Sequence, residues 1–172
     1  LRLQAFGVTE PTSGTDTLAL KTTARREGGE WVINGQKIWI SRAEHSDLMV
    51  LLARTTPQEQ AVSRTDGLSV FLVDMRGKIG KGIELRPIRT MMNQATTEIF
   101  FDVLRVPADA LVGEEGKGFR YILSGMNSER ILIAAEYIGD AKWFLGKGGD
   151  YAKDRVVFGA PIGRNQGCSF PW

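Results

Sequence analysis

Residues 30–41 read Glu-Trp-Val-Ile-Asn-Gly-Gln-Lys-Ile-Trp-Ile-Ser, and the predicted fold class starts from this segment. Its β-branched and aromatic residues are typical of strands. Asn34-Gly35 is the strongest short-range hairpin signal, because both central residues of a type I′ turn need positive φ. The sequence therefore predicts two strands joined by a turn at Asn34-Gly35. Alternation then divides the side chains of the second strand between two faces: Ile38 and Ile40 on one, Lys37 and Trp39 on the other.

Further strand-like runs lie on both sides of this segment. A turn is expected at Gly28-Gly29, and the polar segment 55–66 is expected to be a surface loop. Strands at this spacing, separated by turns rich in Gly, Asp and Pro, are typical of a β-sandwich or β-barrel. The other extended segments are expected at 18–26, 48–53, 68–74, 83–88 and 97–106.

After Pro107 the spacing of apolar residues becomes helical. Apolar residues recur every three or four positions from Phe119 to Phe144, after a connecting segment at 113–118. Each glycine weakens a helix by about 1 kcal/mol relative to alanine. A break near Gly125 or fraying near Gly148 is therefore expected before the helix ends towards Arg155.

The predicted fold class is mainly β with a C-terminal α segment. A β-barrel or sandwich domain is expected over residues 1–112, and the start of a helical domain over 113–172. The long helix has no partner helices to cover its apolar residues, so we expect a truncated helical bundle and an incomplete chain.

Composition excludes several classes of protein. The 172 residues are 42% hydrophobic and 24% charged, which predicts a packed core rather than disorder. A net charge of +2, with basic and acidic residues interspersed, gives no indication of nucleic-acid binding. No apolar run approaches the roughly 18 residues of a membrane helix. The single cysteine, Cys168, excludes an internal disulfide, and the single histidine, His45, has no metal-site pattern around it.

Two segments carry residues that could bind a ligand. Residues 6–16 form a strand-like run followed by a turn rich in hydroxyls, which could hydrogen-bond the rim of a heterocycle or a phosphate, or could be an ordinary turn. In residues 31–41, Trp39 could pack on a planar ring while Ser41 donates to a ring nitrogen, although a half-buried aromatic is the commoner role.

Taken together, the motifs resemble the acyl-CoA dehydrogenase family over almost the whole chain. The match includes departures: Leu104 replaces the first valine of the family's F-x-x-V-x-V-P pattern, and Thr12-Ser13 stand where the family usually has small, glycine-rich residues. The motifs occur in the family's order: VTEP at 8–11, GTD at 14–16, INGQKIWIS at 33–41, FDVLRVP at 101–107, NSER at 127–130 and YAKDRVVFG at 151–159.

The resemblance implies FAD-dependent α,β-dehydrogenation of an acyl-CoA thioester to the trans-2-enoyl-CoA, with electrons passed to an electron-transfer flavoprotein. It also implies a homodimer or homotetramer, in the bacterial cytoplasm or in the mitochondrial matrix of a eukaryote, with the isolated chain inactive. Two alternatives stay open. One is an acyl-CoA oxidase or flavin monooxygenase on the same scaffold, and the other is a binding or assembly module without catalysis.

The family's functional residues transfer to matching positions of this chain. The resemblance implies that Arg155 and Phe158, of the R-x-x-F-G motif, reach the FAD of a partner subunit. Asn127 stands where the family commonly has Asp, so it keeps a hydrogen-bonding group without the charge. The implied FAD contacts are Phe6, Val8, Thr9, Thr15, Trp39, Ile40, Ser41, Arg155, Phe158, Asn165 and Gln166. The implied acyl-CoA contacts are Thr15, Asn127 and Arg130.

The catalytic base has two candidate positions. Most members of the family carry it as a Glu far beyond Trp172, whereas a subset that includes isovaleryl- and long-chain acyl-CoA dehydrogenases carries it immediately before the Arg of the earlier helix. This chain has Glu129 there. The alternative is that Glu129 is an exposed helix carboxylate beside a CoA-binding Arg130. No metal site is expected.

Overall fold

The computed structural model describes residues 3–92 and 95–169 and has a β-rich part followed by a long helix. The predicted fold class is confirmed. The strands are β1 Gln4–Gly7, β2 Thr23–Glu27, β3 Glu30–Ser41, β4 Leu48–Arg54, β5 Leu68–Asp74, β6 Ile83–Pro87, β7 Thr96–Pro107, β8 Leu111–Val112, β9 Val156–Val157 and β10 Ala160–Pro161. The α-helices are α1 Gly118–Asp154 and α2 Gln166–Ser169.

The chain divides into two compact units, Leu1–Leu123 and Ser124–Trp172. The domain boundary expected between residues 112 and 113 stays a prediction. The first residue of the first predicted domain, Leu1, and the last residue of the second, Trp172, lie outside the described residues.

The first unit is one eight-stranded sheet around one apolar core. The strand order is β6-β7-β3-β2-β4-β5-β8, and β1 pairs parallel with β4. Buried side chains from seven strands, β1 to β7, form a single cluster. Because one sheet supplies this cluster, the sheet must curve around it, as twisted sheets do when they approach a barrel. The largest fully buried apolar side chains include Trp31, Ile33, Met49, Phe71 and Ile99.

The hairpin turn predicted at Gly28-Gly29 is confirmed. Both glycines have positive φ, 56° and 90°, and they join the paired residues Glu27 and Glu30. A two-residue turn with positive φ at both positions is the geometry that matches the twist of the flanking strands.

The hairpin predicted at Asn34-Gly35 is wrong, because β3 continues through both residues. Opposite Asn34, β7 contains an extra residue, since Ile33 pairs with Leu104 but Gly35 pairs with Phe101. This is a β-bulge. Val103 has a φ of 49°, and its N–H donates to Asn34 Oδ1 at 2.8 Å. The asparagine therefore serves to hold a bulge in the neighbouring strand instead of a turn.

A second bulge lies in β3 itself and overturns the predicted alternation of its side chains. Lys37 pairs with Ile99 and Ile40 pairs with Thr97, so β3 has one extra residue between them. Trp39 takes the left-handed conformation, with a φ of 62°. Consequently Lys37 and Ile40 both point into the core, and Trp39 is 58% exposed.

Helix α1 runs without interruption through Gly125 and Gly148, so the predicted break and fraying do not occur. A glycine keeps its N–H, so the ladder of hydrogen bonds stays intact, whereas a proline would remove one. Ile131, Leu132, Tyr137 and Phe144 are among its exposed apolar side chains.

Candidate functional site

The first candidate segment leaves β1 through a tight turn. Glu10 and Ser13 exchange both backbone hydrogen bonds, each of 3.1 Å, around Pro11. The Ser13 hydroxyl is buried and donates to the carbonyl of Asp16 at 2.5 Å, so it is not available to an anion. The exposed hydroxyls of this turn are those of Thr12 and Thr15.

A buried ion pair ties this turn to β3. Lys37 Nζ donates to Glu10 Oε1 at 2.8 Å and to the carbonyl of Val8 at 3.0 Å. The Glu10 carboxylate also accepts from the N–H groups of Lys21, at 2.6 Å, and Thr22, at 2.9 Å. The two charged side chains are 0% and 4% exposed. A buried charge is costly unless it is paired and hydrogen-bonded, and here both conditions hold.

The environment shifts the pKa of both groups downwards. Burial lowers the pKa of Lys37 to about 8, although the Glu10 carboxylate raises it in part. Burial alone would raise the pKa of Glu10, but the charge of Lys37 and the hydrogen bonds from its neighbours leave it below the ordinary 4.5. Both groups are therefore charged near neutral pH.

Folding stability should depend on pH through this pair. For Glu10, whose pKa is lowered on folding, the contribution is complete above about pH 4.5 and is lost as the pH falls through the folded-state value. For Lys37, the unfolded chain keeps a proton between about pH 8 and 10.5 that the folded chain has released, so stability rises with pH in that window. Urea unfolding across both ranges should show these slopes in the wild type. Lys37→Met should lack the alkaline slope and Glu10→Gln the acid slope, and unchanged slopes in the variants would contradict the assignment.

The two candidate flavin segments meet at one edge of the first unit. The N–H of Ile38 donates to the carbonyl of Thr9 at 3.0 Å. Trp39 faces outward, Ser41 is exposed at the end of β3, and Phe6 is 46% exposed on β1. The Ser41 hydroxyl makes no hydrogen bond with any residue in the described ranges. We call Thr9, Trp39 and Ser41 the β3 edge.

The remaining predicted contacts of the first unit differ in exposure. Val8 and Ile40 are buried, so their side chains belong to the core and only their backbone could face a ligand. Thr15 is exposed in the turn. Exposed aromatic side chains and an exposed hydroxyl on these segments suit a flat, mostly apolar ring system with a polar rim, so the kinds of residue present fit an isoalloxazine.

The second unit carries the predicted substrate residues on α1. Arg130 Nη1 donates to Asn127 Oδ1 at 2.8 Å, as expected for residues three apart on a helix. Glu129 and Arg130 line an open groove of about 420 Å³ together with Met126, Ile133, Ala134 and Tyr137. Glu129 therefore lies on a stripe that is otherwise largely apolar.

The R-x-x-F-G motif forms a short hairpin after α1. Phe158 and Gly159 have φ values of 54° and 77° and join β9 to β10, which is the signature of a type I′ turn. Phe158 is fully exposed. Arg155, Asn165 and Gln166 are exposed as well. A strained, fully exposed aromatic residue indicates a functional constraint rather than a packing role.

Sequence reasoning missed the Glu10–Lys37 pair. It placed Lys37 on the same face as Trp39, opposite Ile38 and Ile40, and gave Glu10 no role beyond its motif. A usable signal was present, because an isolated Lys within an apolar strand needs a buried acidic partner if that strand enters a core.

Two other kinds of site are absent from residues 3–92 and 95–169. No three side chains of the His, Cys, Asp or Glu type are grouped so that they could hold a metal ion. No helix in this part of the chain has the length and apolarity needed to span a membrane.

Comparison with known proteins gives matches along the whole chain. The family models described as "Acyl-CoA dehydrogenase, middle domain" and "Acyl-CoA dehydrogenase, C-terminal domain" match residues 5–104 and 116–171. The chain is 38% identical over 164 residues to the mitochondrial long-chain specific acyl-CoA dehydrogenase of Mus musculus, covering 94% of this chain and 37% of that protein.

Solved structures agree with this match. The crystal structure of acyl-CoA dehydrogenase from Geobacillus kaustophilus superposes with a TM-score of 0.81 at 33% identity, covering 98% of this chain and 44% of that one. The structure of a prolyl acyl carrier protein oxidase gives a TM-score of 0.77 at 29% identity, covering 95% and 42%. The chain thus spans about two fifths of the proteins it matches.

Proposed function

This chain belongs to the acyl-CoA dehydrogenase family, and from that premise we propose that it forms part of the FAD and acyl-CoA sites of an enzyme that oxidises acyl-CoA thioesters to trans-2-enoyl-CoA. One observation carries the proposal. The hydrogen bond from Ile38 to Thr9 joins the two motif segments into a single edge that presents an aromatic ring and an exposed hydroxyl. Purification of the full-length enzyme that contains this chain with stoichiometric FAD, seen in its visible spectrum, is the expected result. A protein that cannot be reconstituted with FAD would contradict it.

When bound, FAD would supply the acceptor for the hydride that leaves the β-carbon of the substrate. Trp39 would cover the ring, and the Ser41 hydroxyl would donate a hydrogen bond to its rim. Asn127 and Arg130 would hold the CoA portion, because a guanidinium can bind a phosphate through two hydrogen bonds. Electrons would then pass to an electron-transfer flavoprotein, in the bacterial cytoplasm or the mitochondrial matrix.

The proton from the α-carbon needs a base, and Glu129 is our candidate. Glu129 is exposed, and its groove neighbours include the apolar Met126 and Ile133, so a substrate lying in this groove would bring its α-carbon close to the carboxylate with little competing water. The assignment is supported by the position of Glu129 immediately before Arg130, which resembles that of the base in the long-chain and isovaleryl subset of the family.

In the full-length enzyme, Ser41→Ala should slow flavin reduction by acyl-CoA more than it weakens FAD retention. One donor aimed at developing charge can contribute about 2–4 kcal/mol to a transition state, so we expect a rate loss of roughly 10²- to 10³-fold. Stopped-flow absorbance measures the reduction, and Ser63→Ala in the exposed loop is the matched control. An unchanged reduction rate with full FAD loading would remove Ser41 from the site.

The FAD-loaded protein should be a homodimer or homotetramer, because Arg155 and Phe158 are proposed to reach the FAD of a partner subunit. The exposed, strained Phe158 at a hairpin tip supports this. Phe158→Asn keeps a residue that tolerates positive φ while removing the ring, so it should fold and shift sedimentation towards smaller species. An active, FAD-loaded monomer would contradict the prediction.

A second candidate is an oxidase on the same scaffold, favoured by the similarity to an acyl carrier protein oxidase. Oxidases let dioxygen reach the reduced flavin. Rapid reoxidation in air after reduction would favour this candidate, and slow reoxidation would favour the dehydrogenase.

A further inference from the structure

The Glu10–Lys37 pair joins three segments that are distant in sequence. Glu10 belongs to the turn after β1, its carboxylate accepts hydrogen bonds from Lys21 and Thr22 at the start of β2, and Lys37 lies within β3. The ammonium group also donates to the carbonyl of Val8. Two of the donors are backbone groups, so the pair fixes main-chain positions as well as side chains.

The same pair is adjacent to both halves of the β3 edge. Thr9 lies between Val8 and Glu10, which are the two residues that Lys37 contacts, and its carbonyl accepts from Ile38, the residue after Lys37. Beyond Ile38 the strand bulges, and Trp39 turns outward with positive φ. The inward anchor on one side of this bulge is Lys37, and the anchor on the other side is the buried Ile40.

Burying a lysine among apolar neighbours costs free energy, because the ammonium group loses its hydration. Replacing a buried ion pair by apolar residues of similar volume is often neutral or stabilising, so stability alone is weak support for its presence. The two contacts of the lysine explain its presence better than stability does. A lysine that reaches both a carbonyl and a carboxylate specifies where two segments lie, which an apolar contact does not.

We propose that Glu10 and Lys37 form a positioning pair that holds Thr9 in register with the outward-turned Trp39–Ser41 segment, so that the β3 edge is already formed before the cofactor binds. The inference rests on the proposed function, because the flavin is what this edge would hold. Neither residue is proposed to touch the flavin or the substrate.

Amide hydrogen exchange on the flavin-free 172-residue chain tests the proposal. The Ile38 N–H, bonded to Thr9, reports on the edge, and the Met75 N–H, bonded to the carbonyl of Asp47 at 2.8 Å, serves as the reference. The ratio of the two exchange rates separates local loosening from a loss of global stability, which would accelerate both. A fluorotryptophan signal assigned to Trp39 by NMR gives a second, independent reading.

The informative variant is the double substitution Glu10→Gln and Lys37→Met, which removes both charges at nearly constant volume. We expect exchange at Ile38 relative to Met75 to be at least about tenfold faster than in the wild type, with a shifted Trp39 signal. An unchanged ratio and an unchanged Trp39 signal would overturn the proposal and leave the pair a purely stabilising one.

A second variant decides the question if the double variant does not fold. Lys37→Arg keeps the charge opposite Glu10 but puts a larger, planar guanidinium where a fully buried ammonium made both contacts, so the turn after β1 and β3 must move apart to admit it. The same change in ratio is expected, and an unchanged ratio again overturns the proposal. Since no flavin is present, failure of FAD to bind would contradict the proposed function and leave this result standing.

Discussion

Glu129→Gln in the full-length enzyme is expected to reduce the bleaching of bound flavin by acyl-CoA about 10²- to 10⁴-fold, the range that a positioned general base contributes. Glutamine keeps the size and hydrogen-bonding capacity of the side chain but cannot take the α-proton. FAD binding should be unaffected, because the FAD contacts that we propose do not include Glu129. Anaerobic stopped-flow absorbance at saturating acyl-CoA measures the effect.

The matched control for Glu129→Gln is Glu136→Gln, which removes an exposed carboxylate seven residues further along α1. Seven residues are close to two turns, so both side chains lie on nearly the same face, but Glu136 does not line the groove. The control should bleach normally. Near-normal bleaching in Glu129→Gln itself would place the base elsewhere and reduce Glu129 to a neighbour of Arg130.

Lys37→Met is expected to lower the free energy of unfolding by about 3–5 kcal/mol, the cost of leaving one partner of a buried pair uncompensated. Glu10 would keep the N–H groups of Lys21 and Thr22 but would lose the positive charge that offsets its burial. Urea unfolding at neutral pH gives the value.

The double variant is expected to be more stable than Lys37→Met alone. Adding Glu10→Gln to Lys37→Met removes the uncompensated charge while retaining an amide oxygen that can accept from one of the two N–H groups, that of Lys21 or that of Thr22. It should therefore recover a large part of the lost stability. A single variant within about 1 kcal/mol of the wild type would be an ordinary substitution and would contradict the importance of the pair.

The fold class could be predicted because it depends on spacing that is local in sequence. The change from strand-like runs to helical spacing after Pro107 is visible without any knowledge of partners, and α1 follows it. The turn at Gly28-Gly29 was predictable for the same reason, since two adjacent glycines remove the steric cost of positive φ in both residues.

The two wrong predictions, the hairpin and the alternation of side chains, concern β3, whose conformation depends on its pairing with β7. Asn34-Gly35 has the composition of a turn, but its environment is set by the extra residue near Val103 in β7, some seventy positions away. Likewise, the side chain of Lys37 points into the core together with that of Ile40, because the bulge at Trp39 interrupts the alternation of side chains between the two faces of β3. Neither bulge leaves a periodic signal in β3 alone, so the inward position of Lys37 was not predictable from the spacing of that segment, and its isolated charge indicated only that a buried acidic partner would be needed if the strand entered the core.

The residues of the candidate site were predicted mainly from the order of the family's motifs, and less from hydrophobic spacing or charge. Trp39 and Ser41 emerge as an exposed ring and an exposed hydroxyl, as a flavin-facing role requires, whereas Val8 and Ile40 prove to be core residues. Their part in FAD binding stays a prediction, together with the roles of Thr15, Arg130 and Arg155, because it depends on ligand contacts.

Anaerobic titration of the FAD-loaded protein with saturated acyl-CoA thioesters of several chain lengths tests the central claim most directly. The account predicts that at least one thioester bleaches the flavin and is recovered as a product lighter by two hydrogen atoms, the trans-2-enoyl-CoA. A flavin that stays oxidised with every thioester, while chemical reduction shows it to be intact, would contradict the account.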